Sequence, residues 1–160
     1  MLKVRTYTYN DDKSKPTLLM THGYMVSSVF FARLLPELSK HYRVIMFDNL
    51  GFGLNSRTQN IGNALESEEA AQKYIDDWWD QLIDNLDLPP KFFISGHSAG
   101  GCQAMWYISR HPERCAGIFL QSPAGTEDST REGFDYEQYV VTQRKTSMSD
   151  TLPSKKEVAE

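Results

Sequence analysis

Phe92-Phe93-Ile94-Ser95-Gly96-His97-Ser98-Ala99-Gly100-Gly101 is the stretch that decides how this chain folds. Its first three residues have strand character, and from Gly101 to Arg110 the pattern turns helical, so Ser98 falls on a strand-to-helix turn. A turn sharp enough to expose a hydroxyl crowds the positions two before and two after it. Gly96 and Gly100 stand there, where only a residue without Cβ fits easily. With Gly and Ser each near 7% of residues, Gly-x-Ser-x-Gly recurs by chance in roughly one chain in twenty of this length. The strand before it and the helix after it give it weight: Ser98 is a candidate nucleophile, and acyl transfer is the chemistry that suits it.

Outward from that turn the pattern repeats. Residues 4–9 alternate like a half-buried strand, residues 10–16 form a polar turn, and residues 17–21 form a second strand. Ser27 or Ser28 can cap a helix running to about Lys40, with Phe30, Phe31, Leu34, Leu35 and Leu38 on its apolar side. Pro36 within it calls for a kink or a late start. Residues 42–47 form a buried strand, followed by a loop through residue 64. Between Glu66 and Leu86 apolar residues recur at helical spacing, and Pro89-Pro90 ends that helix. Residues 91–95, 99–110 and 116–121 then give strand, helix, strand. The alternation predicts an α/β fold, a mostly parallel sheet with helices on both faces.

With 160 residues, 40% apolar and 12% aromatic, the chain can form one domain burying about 70% of its extended-chain surface. The net charge of −4 and the absence of any Lys/Arg run beyond Lys155-Lys156 exclude an electrostatic grip on nucleic acid. Cys102 and Cys115 have no metal-like spacing and read as reduced thiols; nothing calls for a metal or a cofactor. No signal-peptide core or membrane-spanning apolar run is present, so the expected setting is cytoplasmic, and any membrane surface would be reached by peripheral apolar contact.

In an open parallel sheet the reactive ends are the carboxyl ends of the strands. Three motifs close successive strands there: His22-Gly23-Tyr24-Met25, Asp48-Asn49-Leu50-Gly51-Phe52-Gly53-Leu54-Asn55-Ser56, and Gly96-His97-Ser98-Ala99-Gly100. Over roughly residues 15–125 the chain resembles the α/β-hydrolase fold superfamily, although the serine of the middle element stands one place later than in its commonest form. Phe47 to Gly53, Tyr74-Ile75-Asp76-Asp77-Trp78 and Ser122-Pro123-Ala124-Gly125 are similar to the acylglycerol and phospholipid hydrolases of abhydrolase-domain proteins four and five.

The resemblance implies a serine hydrolase acting on a small-molecule or lipid ester through an acyl-enzyme on Ser98, with transfer to a lysophospholipid as an alternative. A catalytically incomplete scaffold that binds a lipase, a membrane or a lipid droplet is a further one. It makes the Ala99 amide one donor to the oxyanion and the amide of Tyr24, or of Met25, the other, with Gly23 letting that backbone approach. Gly51, Gly53, Gly96 and Gly100 support the motifs. His22 takes a structural part in its turn. Asp48, closing a strand earlier in the chain than the nucleophile, reads as a carboxylate that organises its loop.

The family places an acid and then a histidine after the nucleophile, and no histidine follows His111. His97 adjoins Ser98, but neighbouring side chains at a strand end point in different directions. His41 and His111 mark helix ends, Trp78-Trp79 and Cys102 read as core packing, and Asp128 is the one candidate acid after the last strand. The expectation is a hydrolase core over residues 1–125, with residues 126–160 beginning a cap or lid or forming a disordered tail. The chain then reads as an amino-terminal portion of a longer hydrolase, or else as a short non-catalytic protein.

Overall fold

The computed structural model describes residues 3–57 and 66–125, all within one compact unit, Met1–Thr126. The expected cap or tail over residues 126–160, its amphipathic stretch around Phe134 to Val141, and Asp128 lie outside the described residues.

Five strands form one sheet: β1 (Thr6–Tyr9), β2 (Thr17–Thr21), β3 (Arg43–Phe47), β4 (Phe92–His97) and β5 (Cys115–Gln121). Their order is β1-β3-β2-β4-β5; β1 runs antiparallel to β3 and every other pair is parallel. Three helices connect them, α1 (Leu35–His41), α2 (Glu68–Asn85) and α3 (Ala99–Arg110). The mostly parallel α/β sheet read from the sequence is the fold observed.

The centre of the sheet is buried on both faces, because β2 and β3 are apolar at consecutive positions while strand side chains alternate. Leu19, Ile45 and Phe47 turn to one face, where Trp78, Trp79, Leu82 and Ile83 of α2 and Ala104 and Tyr107 of α3 cover them. Leu18, Met20, Val44 and Met46 turn to the other, against Phe31 and, on α1, Leu35 and Leu38. Arg43 is buried at the start of β3 yet fully engaged: Nε donates to Asp11 Oδ1 at 2.6 Å and Nη1 to the Asp87 carbonyl at 2.6 Å.

Two helix starts differ from the sequence reading. The segment expected to be helical from Ser27 or Ser28 is a single 3-10 turn, Ser28–Phe31, and α1 begins only at Leu35. Pro36 sits in its first turn, where a missing N–H costs nothing, so the late start is the alternative realised. Ser28 lies inside the 3-10 turn rather than ahead of a helix, and its amide and hydroxyl both donate to Asp48. At α2 the cap is Ser67, whose Oγ accepts from the Ala70 amide at 3.1 Å. β4 also runs two residues further than expected, through Gly96 and His97.

The chain leaves β2 toward β3 on one side, and after α2 it returns as β4 on the other side of β2. The direction of winding therefore switches between β2 and β4, which opens a crevice at their carboxyl ends. Trp79, 1% exposed, anchors the larger core by packing edge-on to Phe47 (5.2 Å) and stacking on Tyr107 (5.6 Å). Trp79→Ala should destabilise the protein by about 3–5 kcal/mol in urea unfolding; a loss below about 1 kcal/mol would show that α2 is not held by this contact.

Candidate active site

Ser98 lies between β4 and α3 with φ 52° and ψ −121°, a left-handed conformation that costs a residue with a Cβ about 1–3 kcal/mol. Four backbone hydrogen bonds hold it there. Its amide donates to the Gln121 carbonyl (3.0 Å), and its carbonyl accepts from the amides of Gly101 (2.9 Å), Cys102 (3.2 Å) and Ala124 (3.0 Å). The glycines leave the turn no slack. A Cβ on Gly96 would fall 2.5 Å from the Gly100 carbonyl oxygen, and one on Gly100 would strike the carbonyl oxygens of Thr21 and His22.

The same crowding brings in the turn after β2. A Cβ on Gly23 would lie 3.1 Å from Ser98 Cβ and 2.9 Å from His97 Nδ1, so this backbone passes directly beside the serine. Met25 has φ 59°, and the side chains of Tyr24 and Met25 are exposed. Ala99 is the first residue of α3, so its amide has no partner within the helix. Neither it nor the Tyr24 amide makes a backbone hydrogen bond among the described residues.

His22 is buried and both ring nitrogens are occupied. Nε2 accepts from the Asn49 amide at 2.8 Å, which leaves the proton on Nδ1, and Nδ1 donates to the Gly23 carbonyl at 2.7 Å. Burial lowers its pKa below the ordinary 6.5, against the smaller opposing effects of the Gly23 carbonyl and the Asp48 carboxylate. The ring is a neutral strut between two loops. Asn49 completes the tie: its Nδ2 donates to the His22 carbonyl at 2.7 Å and its Oδ1 accepts from Thr21 at 3.1 Å.

Asp48, 1% exposed, closes β3. Its Oδ1 accepts from the Ser28 amide (2.8 Å) and hydroxyl (2.7 Å), and its Oδ2 from the Leu54 amide (2.9 Å). Burial pushes its pKa up, but the bonds from Leu54 and Ser28 together outweigh that and leave it below 3.8. Gly53, at φ 54°, lies so close that a Cβ would strike the carboxylate, while Gly51, at φ 80°, turns in open space. The carboxylate thus ties its own loop to the 3-10 turn.

His97 makes no hydrogen bond to Ser98 among the described residues. Its ring stacks on Phe30 at 4.5 Å, and its buried Nδ1 has no hydrogen-bond partner among the described residues. His111 lies at the far end of α3, roughly 18 Å of helix away, with Nε2 3.1 Å from Asp80; His41 ends α1. No residue among those described hydrogen-bonds Ser98 Oγ. No described group of His, Cys, Asp and Glu could hold a metal, and no described helix is long and apolar enough to cross a membrane.

A largely apolar cavity lies beside the turn that carries Ser98, without Ser98 in its lining. It is lined by Gly23, Tyr24 and Ala99, by Leu50, Phe52 and the α2 residues Ala71, Tyr74, Ile75 and Trp78, and by the polar Asn49 and Gln103. Trp78 is 8% exposed, and its Nε1 is buried without a partner among the described residues. Asn49, Ser28 and Trp78 were given no such positions by the sequence. Asn49 carried one weak signal, a polar side chain inside a motif that closes a buried strand.

The sequence profile of the alpha/beta hydrolase fold matches residues 16–158. The chain belongs to that family. It is 35% identical over 135 residues to a probable 1-acylglycerol-3-phosphate O-acyltransferase of Oryza sativa subsp. japonica, covering 83% of this chain and 31% of that protein. It is 33% identical over 112 residues to the 1-acylglycerol-3-phosphate O-acyltransferase ABHD5 of Rattus norvegicus, covering 70% and 30%. Among solved structures, a bacterial membrane phospholipase A superposes with a TM-score of 0.70 at 23% identity, over 90% of this chain and 42% of that one, a likeness of fold. The chain spans about 30% of the length of these acyltransferase relatives.

Both loop-tying groups make stability rise with pH. The Asp48 contribution is full above about 3.8 and is lost as the pH falls from there through the folded-state value; for His22 the corresponding loss begins below about 6.5. Asp48→Asn should therefore be less stable than the parent at pH 7, with the gap closing below pH 3.8 in urea titrations. A gap unchanged by acid would show that the carboxylate's charge does not hold the loop.

Proposed function

We propose that Ser98 is the nucleophile of an acyl-transfer site acting on a lipid ester, and that the amides of Ala99 and Tyr24 receive the oxyanion. The observation that carries this reading is the juxtaposition of Gly23 with Ser98 Cβ, which sets two backbone turns, whose Tyr24 and Ala99 amides make no backbone hydrogen bond among the described residues, against one hydroxyl. In the step envisaged, a general base takes the Ser98 proton as Oγ attacks the ester carbonyl carbon, and the carbonyl oxygen takes the negative charge. On collapse the base returns that proton to the departing alcohol and an acyl-serine is left, which water or a second alcohol then resolves, its own proton passing to the base and on to Ser98 Oγ. A fixed donor to that oxygen is worth about 3–4 kcal/mol in the transition state.

A serine hydroxyl attacks only when a base removes its proton. The bonding of His22 denies it that part, His97 is stacked on Phe30, and no base for Ser98 is found among the described residues. The acceptor divides hydrolysis from transfer. The names of the plant and rat relatives favour a second reading in which the acceptor is the free hydroxyl of a 1-acylglycerol-3-phosphate rather than water.

Labelling of the gene's longest product with a fluorophosphonate probe tests the common first step. The expected result is a labelled protein whose signal disappears in Ser98→Ala, with labelling reduced about 10²–10³-fold when one oxyanion donor is displaced by Gly23→Val. Absence of Ser98-dependent label would retire both acyl-transfer readings and leave the non-catalytic scaffold.

A further inference from the structure

Gly23 and Phe30 stand at the two ends of a short segment, and one side chain reaches both. A Cβ on Gly23 would lie 2.9 Å from His97 Nδ1, and the His97 ring stacks on Phe30 at 4.5 Å with 25° between the planes. The segment between them carries Tyr24, whose amide is the second oxyanion donor of the proposed site. We propose that His97 and Phe30 are positioning residues, whose stack clamps this segment to the nucleophile turn and so sets the Tyr24 amide against Ser98. The inference rests on the reading of Ser98 as nucleophile, and it adds the device that holds one donor in place.

The segment has little else to hold it. Among the described residues no amide from Tyr24 to Val26 makes a backbone hydrogen bond, and the side chains of Tyr24 and Met25 are exposed. Tyr24 keeps one edge-on contact, with Phe52 at 5.3 Å. The bond from His22 Nδ1 to the Gly23 carbonyl fixes the first residue. The course of the chain beyond it therefore depends on what grips the far end.

Both jaws of the clamp are firm. His97 is the last residue of β4 and pairs with Gln121 of β5, so its ring leaves a backbone that the sheet fixes. Phe30 belongs to the 3-10 turn in which Ser28 donates twice to Asp48 and Phe31 is fully buried, and it meets Phe31 edge-on at 5.3 Å. Phe30 itself is 51% exposed, so the core does not require a phenyl ring there; the imidazole is what it packs on. The buried His97 Nδ1 has no acceptor to donate to among the described residues, which places the ring hydrogen on Nε2. A bare nitrogen then faces Gly23, and it permits a closer approach than a C–H or N–H would.

Phe30→Leu removes the ring at similar volume, and Phe30→Tyr keeps it. In the 160-residue chain, observed by NMR, the His97 ring protons should move downfield in Phe30→Leu as the phenyl ring current is lost. The Tyr24 amide resonance should move with them, and both should stay near the parent positions in Phe30→Tyr. In the gene's longest product, the maximal rate of Ser98 labelling by a fluorophosphonate should fall at least about tenfold in Phe30→Leu, since outright removal of a donor costs about 10²–10³-fold. The half-saturating probe concentration should not change, because the interaction lost is made only in the transition state. Phe30→Tyr should restore the rate. A His97 shift without one at Tyr24, a labelling rate unaltered by Phe30→Leu, or a change confined to the half-saturating concentration would each overturn the proposal. Phe30→Met is a second ring-free variant, read in the same way should Phe30→Leu fail to fold. A parent protein with no Ser98-dependent label would retire the nucleophile, and the paired His97 and Tyr24 shifts would still decide whether the clamp sets the turn.

Discussion

Backbone meeting backbone at Gly100 is the constraint on which the site depends. The first turn of α3 approaches the end of β2 so closely that a Cβ there would collide with the carbonyl oxygens of Thr21 and His22. That approach determines how near the turn after β2 comes to the turn after β4, and so how near the Tyr24 and Ala99 amides come to one another. Gly96 and Gly23 extend the same contact on either side of Ser98. The unfavourable φ of Ser98 follows from it. Four hydrogen bonds to its backbone, worth about 1 kcal/mol each, are enough to offset a strain of about 1–3 kcal/mol.

A second set of interactions fixes the loops that border this contact. His22, Asn49 and Thr21 link the end of β2 to the end of β3, and Asp48 links the end of β3 to the 3-10 turn before α1. Each of these polar groups is buried and each finds a partner, which makes the network rigid rather than costly. It also explains why two ionisable side chains so close to Ser98 are poor candidates for proton transfer. The neutral His22 has no free nitrogen, and Asp48 has its lone pairs directed at Ser28 and Leu54.

The elements that could be read from the sequence are those whose signal is local. Consecutive apolar residues in β2 and β3, glycines at fixed distance from Ser98, and helical spacing through Trp78 and Trp79 each depend on a few neighbouring positions. Pro36 announced the late start of α1 in the same way. What could not be read depends on which loops meet. Ser27 or Ser28 looked like a helix cap because a serine before an apolar run usually is one, and nothing local shows that Ser28 instead lies within a 3-10 turn and donates its amide and hydroxyl to Asp48, twenty residues later. Likewise, spacing placed at least one of Trp78 and Trp79 in the core, but it could not show that both pack there while Trp78 also borders a cavity.

The two edges of the sheet carry opposite physical characters. β1 presents Thr6, Tyr7, Thr8 and Tyr9, a short strand of polar and amphipathic side chains laid antiparallel on β3, and such an edge is comfortable in water. β5 presents Ile118, Phe119 and Leu120, all more than a third exposed, on a seven-residue strand that pairs only with β4 among the described residues. A long apolar strand with a free row of amides and carbonyls attracts another strand, whether from the same chain or a different one. The interior that holds Ser98 in place is closed by glycine contacts on the β2 side and by Gln121 and Ala124 on the β5 side. Cover over β5 therefore bears on the site as well as on solubility, because the same strand that offers the adhesive edge also supplies the carbonyl that fixes the Ser98 amide.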